Sequence, residues 1–85
     1  MIPTNRPPTT PGELLLKDWI EPMGVTQLAF AARLGVSLQR LNGIVCGRRA
    51  VTAETALLLA RELKTSPEFW LNAQMACDLY NARKR

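Results

Sequence analysis

With 85 residues and 47% apolar content, the chain has material for one small domain around a single core. Histidine is absent, and the two cysteines, Cys46 and Cys77, form no C-x-x-C, which argues against a histidine-based catalytic site, a zinc site and a disulfide framework. The formal net charge is +4, and no acid lies between Glu21 and Glu54, a stretch that holds Arg33, Arg40, Arg48 and Arg49, so the charge forms a local basic region suited to a polyanionic partner.

The opening "MIPTNRPPTTP" carries four prolines and almost nothing apolar, so residues 1–10 are expected to form a flexible proline-rich arm. A first helix should begin near Pro11, since proline suits a first turn. Leu16, Trp19, Ile20 and Met23 fall at i, i+3, i+4 and i+7 and share its apolar face. Pro22 and Gly24 are its stop signal.

"TQLAFAARLGVS" reads as a second helix capped by Thr26, with Phe30, Ala31 and Leu34 as its stripe and Gly35 in a left-handed terminal position. Only Gly35 and Val36 separate it from the next cap, Ser37. A link that short makes two helices cross steeply. The third helix runs from Leu38 to about Cys46 and is expected to bury Leu41 and Ile44, with Val45 as a further candidate, leaving Gln39, Arg40 and Asn42 on a polar side. Gly43 in its middle costs about 1 kcal/mol against alanine. Either a close approach by DNA or tight packing against another helix would account for it.

Thr52 caps a fourth helix with the stripe Ala56, Leu59, Ala60 and Leu63. Ser66, Pro67 and Glu68 open a fifth. Its apolar residues form two rows, Phe69–Ala73–Ala76–Tyr80 and Leu71–Met75–Leu79, with Trp70 nearby. A terminal helix in a small domain turns one face to its own core. The second row, Leu71, Met75 and Leu79, is therefore the candidate interface of a homodimer, against the alternative of a deeply buried helix. The domain is expected to span residues 11–82, with residues 83–85 as a frayed basic tail.

Two short helices, a tight glycine turn and a polar-faced third helix make a helix-turn-helix, whose second helix enters the DNA major groove by its N-terminus. Gln39 and Arg40 would lead, since arginine pairs with guanine O6 and N7 and glutamine with adenine N6 and N7. Thr26 and Gln27 would meet the phosphate backbone. Ser37, Leu38, Asn42 and Gly43 complete the DNA-facing set. Arg48 and Arg49 are assigned to flanking phosphates, or to the C-terminal end of the helix dipole. Ser37 is a cap and not a nucleophile, because no base is present to activate it. No metal site or cofactor is expected. No apolar run approaches about 18 residues, and no apolar segment follows a basic start, so the chain reads as cytoplasmic, without a membrane span or leader.

The segments "PGE", "EPMGVTQ", "LNGIVCGRRAVTAETALLLA" and "SPEFWLNAQ" together resemble the HigA antitoxins of the Xre-type helix-turn-helix class, over about residues 10–80. The resemblance implies an all-α, five-helix, lambda-repressor-like domain. It further implies a homodimer that binds double-stranded operator DNA at an inverted repeat, represses its own operon and neutralises a RelE-like ribonuclease toxin. Thr10, Leu38, Gly43 and Cys46 depart from the family's usual residues, so the operator sequence does not carry over. A repressor without a toxin partner and a pure protein-interaction module remain the alternatives. Glu13, Asp18 and Glu21 on the first helix are the candidate contacts for a basic toxin.

Overall fold

The computed structural model describes residues 7–84; residues 1–6 of the expected arm, and Arg85, lie outside it. Among the described residues there are five helices and no strand. We name them α1 (residues 11–23), α2 (Gln27–Leu34), α3 (Leu38–Val45), α4 (Ala53–Leu63) and α5 (Pro67–Lys84).

Thr10 starts α1: its Oγ1 accepts from the Glu13 N–H at 3.1 Å and donates to Glu13 Oε1 at 3.3 Å. The T-x-x-E spacing is that of a capping box, although Glu13 accepts here from the Thr10 hydroxyl and not from its N–H. α1 is α-helical over Pro11–Leu15, π-helical over Leu16–Ile20 and α-helical again over Glu21–Met23. The Glu21 N–H reaches back five residues to the Leu16 carbonyl. Pro22 supplies the reason. Proline has no N–H, and its ring crowds the carbonyl four residues back; a wider turn moves that carbonyl away. The helix thus runs through Pro22 and ends only at Gly24.

The wide turn also shifts which residues face inward. Leu15 and Ile20, five apart, are the buried pair, at 1% and 3% exposure. Of the stripe expected at 3.6-residue spacing, only Ile20 is buried; Leu16 and Trp19 are half-buried and Met23 is exposed.

Elsewhere the expected caps are in place. Thr26, Ser37, Thr52 and Ser66 accept from the N–H of Ala29, Arg40, Thr55 and Phe69 at 3.0, 3.1, 3.3 and 3.1 Å. Phe30, Ala31 and Leu34 of α2, Leu41 and Ile44 of α3, and Ala56 and Leu59 of α4 join Leu15, Ile20, Val51 and Trp70 in one core. Ala60 and Leu63 sit half-buried at its margin.

α5 turns neither expected row squarely inward. Its buried residues are Trp70 and Cys77, seven apart and between the two rows. Trp70 Nε1 donates to Thr65 Oγ1 at 2.8 Å, which satisfies the indole's polar atom inside the core. Trp19 and Phe69 pack on it, with ring centroids 5.1 and 5.0 Å away. The Cys77 thiol donates to the Thr9 carbonyl at 3.8 Å. Burial pushes its pKa up, and the charges of Asp78 and Glu13 add to this, so it stays a protonated packing residue. α5 continues through Arg83 to Lys84, whose ammonium lies 5.8 Å from the Tyr80 ring centroid. Cations there complement the negative end of the helix.

Candidate nucleic-acid interface

α2, its turn and α3 build the site. Gly35 adopts φ 79° and Val36 follows half-buried. Both residues' N–H groups bond to the Ala31 carbonyl, at 2.9 and 3.1 Å. Positive φ strains any residue with a Cβ, so glycine is needed for this reversal. The turn delivers Ser37 as the cap of α3. Leu38 and Gln39 are then exposed at its leading end.

Leu38, Gln39, Asn42, Gly43, Arg48 and Arg49 line one shallow concavity. The structure therefore brings together six of the ten residues assigned to DNA. Thr26 and Ser37 stand at the starts of their helices, where their oxygens hold backbone N–H groups. Gln27 joins the set through a hydrogen-bond chain. Asn42 Nδ2 donates to Gln27 Oε1 at 3.2 Å, and Arg48 Nη2 donates to Asn42 Oδ1 at 2.9 Å. With its oxygen engaged, Gln27 presents only N–H donors outward, the polarity a phosphate needs.

Arg40, assigned to a base edge, is engaged within the fold. Its Nη2 donates to Glu54 Oε1 at 3.1 Å and to Thr55 Oγ1 at 2.8 Å. The guanidinium is drawn back onto the start of α4 and away from the concavity. Thr55 is 2% exposed, so the bond also satisfies a buried hydroxyl. Glu54 and Thr55, which sequence reasoning did not connect to Arg40, are what hold it; a separation of 14 and 15 residues leaves no local signal. Arg40→Ala is expected to lower stability by about 1–2 kcal/mol, from an exposed ion pair and one hydrogen bond. Base preference in competition against altered DNA sites should stay unchanged. A loss of preference at one base pair would return Arg40 to the reading set.

Gly43 is explained neither by a neighbouring helix nor by DNA alone. A Cβ there would meet Arg49 Cγ and Cδ at 3.0 Å. The stem of Arg49 lies across it. The chain beyond α3 reverses at Gly47, φ 80°, so that the N–H groups of Arg48 and Arg49 both bond to the Gly43 carbonyl, at 2.8 and 3.0 Å. The far side of this loop is held by α5: Val51 N–H donates to Gln74 Oε1 at 2.9 Å, and Gln74 Nε2 donates to Asp78 Oδ1 at 2.9 Å. Gln74 thus supports the loop from 23 residues away, a distance that leaves no local signal.

Chemically, the face offers amide and guanidinium donors, one exposed leucine and no carboxylate. Among the described residues no group of histidine, cysteine or acidic side chains could hold a metal ion, and no helix is long and apolar enough to cross a membrane.

The helix-turn-helix family model matches residues 16–70. Over its full length the chain is 41% identical to antitoxin HigA-1 of Vibrio cholerae and covers 80% of it. The solved structure of antitoxin GraA in complex with its operator superposes with a TM-score of 0.86 at 39% identity, over 100% of this chain and 86% of that one. Pseudomonas aeruginosa antitoxin HigA with the higBA promoter gives a TM-score of 0.85 at 35% identity, over 88% of this chain and 82% of that one. The chain belongs to the HigA antitoxin family, a class of helix-turn-helix DNA-binding regulators and not of enzymes.

Proposed function

We propose that the protein is the antitoxin of a toxin–antitoxin pair, binding operator DNA as a dimeric autorepressor and neutralising a RelE-like ribonuclease toxin. The observation that carries the DNA reading is the carboxylate-free face of α3, where Gln27, Asn42 and Arg48 are already locked in one chain of donors. Such preorganisation spares the ordering cost that long side chains otherwise incur on binding. Two relatives of similar fold are known in complex with operator or promoter DNA. Gln39 and Asn42 are assigned to base edges, and Thr26, Gln27 and Arg48 to phosphates. The exposed Met75 and Leu79 of α5 support the dimer, and a two-fold dimer calls for an inverted repeat.

Toxin capture is assigned to the opposite charge. An RNA-cleaving toxin needs a basic active surface, which the α3 face would repel. Asp18 and Glu21 on α1 are exposed and accept from no basic residue among those described. Glu13 is exposed as well but serves the cap of α1, so its replacement would confound the test.

The test pairs a gel shift on the chain's own promoter with co-purification of the toxin encoded beside it. Gln39→Ala with Arg48→Ala should abolish the shift and leave toxin capture intact. Asp18→Lys with Glu21→Lys should do the reverse. Arg48→Ala alone should weaken binding to all sequences alike and flatten the salt slope by about one unit. Normal toxin capture by the lysine variant would remove α1 from the toxin surface; an unshifted promoter with the native chain would remove the operator reading.

A further inference from the structure

Three arginines adjoin the face of α3, and the structure treats each differently. Arg40 is engaged by Glu54 and Thr55 on α4. Arg48 donates to Asn42. Arg49 is exposed, and its guanidinium makes no hydrogen bond or ion pair among the described residues. Its backbone and stem nevertheless pack against α3. The backbone reversal at Gly47 ties its N–H to the Gly43 carbonyl at 3.0 Å, and its Cγ and Cδ lie 3.0 Å from where a Cβ of residue 43 would stand. Asn42 and Gly43 follow Gln39 by three and four residues, so both flank it on one side of α3.

We propose that Arg49, laid across the bare backbone of Gly43, is the arginine that reads a guanine in the major groove. The proposal rests on the operator reading above. It replaces a flanking phosphate contact with a base contact. The glycine acts as a slot: it lets the arginine stem cross the middle of the reading helix, so that the guanidinium lies beside Gln39 and Asn42. A guanidinium held there by its stem, with its planar fork of donors unengaged, has what bidentate pairing to guanine O6 and N7 requires. Lysine, with one compact charge, could replace it on a phosphate but not on that edge.

Selection from a pool of randomised DNA duplexes, followed by sequencing of the bound fraction, tests this. The native protein should enrich a site with a guanine in each half. Arg49→Ala should lose preference for that guanine by about 5- to 150-fold and keep the remaining positions. Arg49→Lys should restore the salt dependence but not the guanine. Arg48→Ala should keep every preference. Gly43→Ala fills the slot and pushes the arginine aside; it should lose the same guanine while melting no lower than the native chain, because alanine favours the helix. Added to Arg49→Ala, it should change nothing further.

If Arg49→Ala weakened all sequences equally and Arg49→Lys restored them, Arg49 would be a phosphate contact and the proposal overturned. A Gly43→Ala variant with native preferences would overturn the role of the slot. Enrichment of no sequence by the native protein would overturn the operator reading, and this assignment with it.

Discussion

Gly12→Ala is expected to lower the melting temperature by about 12–24 °C, the effect of an overpacking cost of about 3 kcal/mol in a domain of this size. Gly12 is buried where α1 crosses the end of α3. A Cβ at this position would lie 2.8 Å from the Ile44 carbonyl carbon and 2.8 Å from Val45 Cα, with the Ile44 oxygen nearer still. All three are backbone atoms, so no rotamer change relieves the contact; α1 and α3 must move apart. The shift would drag the reading helix with it, so operator affinity should fall even in the folded fraction. Circular dichroism melts of the variant and a gel shift below its midpoint measure both effects. A midpoint within about 2 °C of the native value would mean that the two helices separate freely, at odds with the few tenths of an ångström a packed core can yield. Gly43→Ala is the natural control. It is also a buried glycine, but its neighbour is a flexible side chain and not backbone.

Met75→Glu combined with Leu79→Glu is expected to give a folded monomer whose operator affinity is lower by about 100-fold or more, since the second half-site is no longer held in reach. The two residues are 53% and 43% exposed and one helical turn apart. Leu71, in the same row, packs partly against the chain's own core and should be left in place to keep the fold intact. Sedimentation gives the mass and a gel shift gives the affinity. A variant that remains dimeric would move the interface away from this row.

The helix starts were readable because each is set by a local hydroxyl: Thr26, Ser37, Thr52 and Ser66 act within three residues of themselves. The stripe Phe30, Ala31 and Leu34 was readable because α2 is a regular helix. The first stripe was not, because a π-helical turn breaks the 3.6-residue count between Leu15 and Ile20. Arg40 shows the other limit. Its residue type and place on α3 point to a base, while the carboxylate and buried hydroxyl on α4 that engage its guanidinium lie too far along the chain to leave a local signal. Gly43 was conspicuous in the sequence, but its occupant became visible only once the loop after α3 was seen to fold back.

The wide turn in α1 has a meaning for how this gene can change length. In an uninterrupted α-helix, loss of one codon rotates everything upstream by about 100° and carries the inward face outward. Here a surplus residue is stored in a single turn between Leu16 and Ile20. Loss of one codon from that interval would let the turn tighten to α geometry while Gly12 and Leu15 keep facing α3 and the core. The obstacle is Pro22, whose ring would again meet the carbonyl four residues back. An in-frame deletion at this point and a substitution of Pro22 thus form a compensating pair, each easier to accept in the presence of the other.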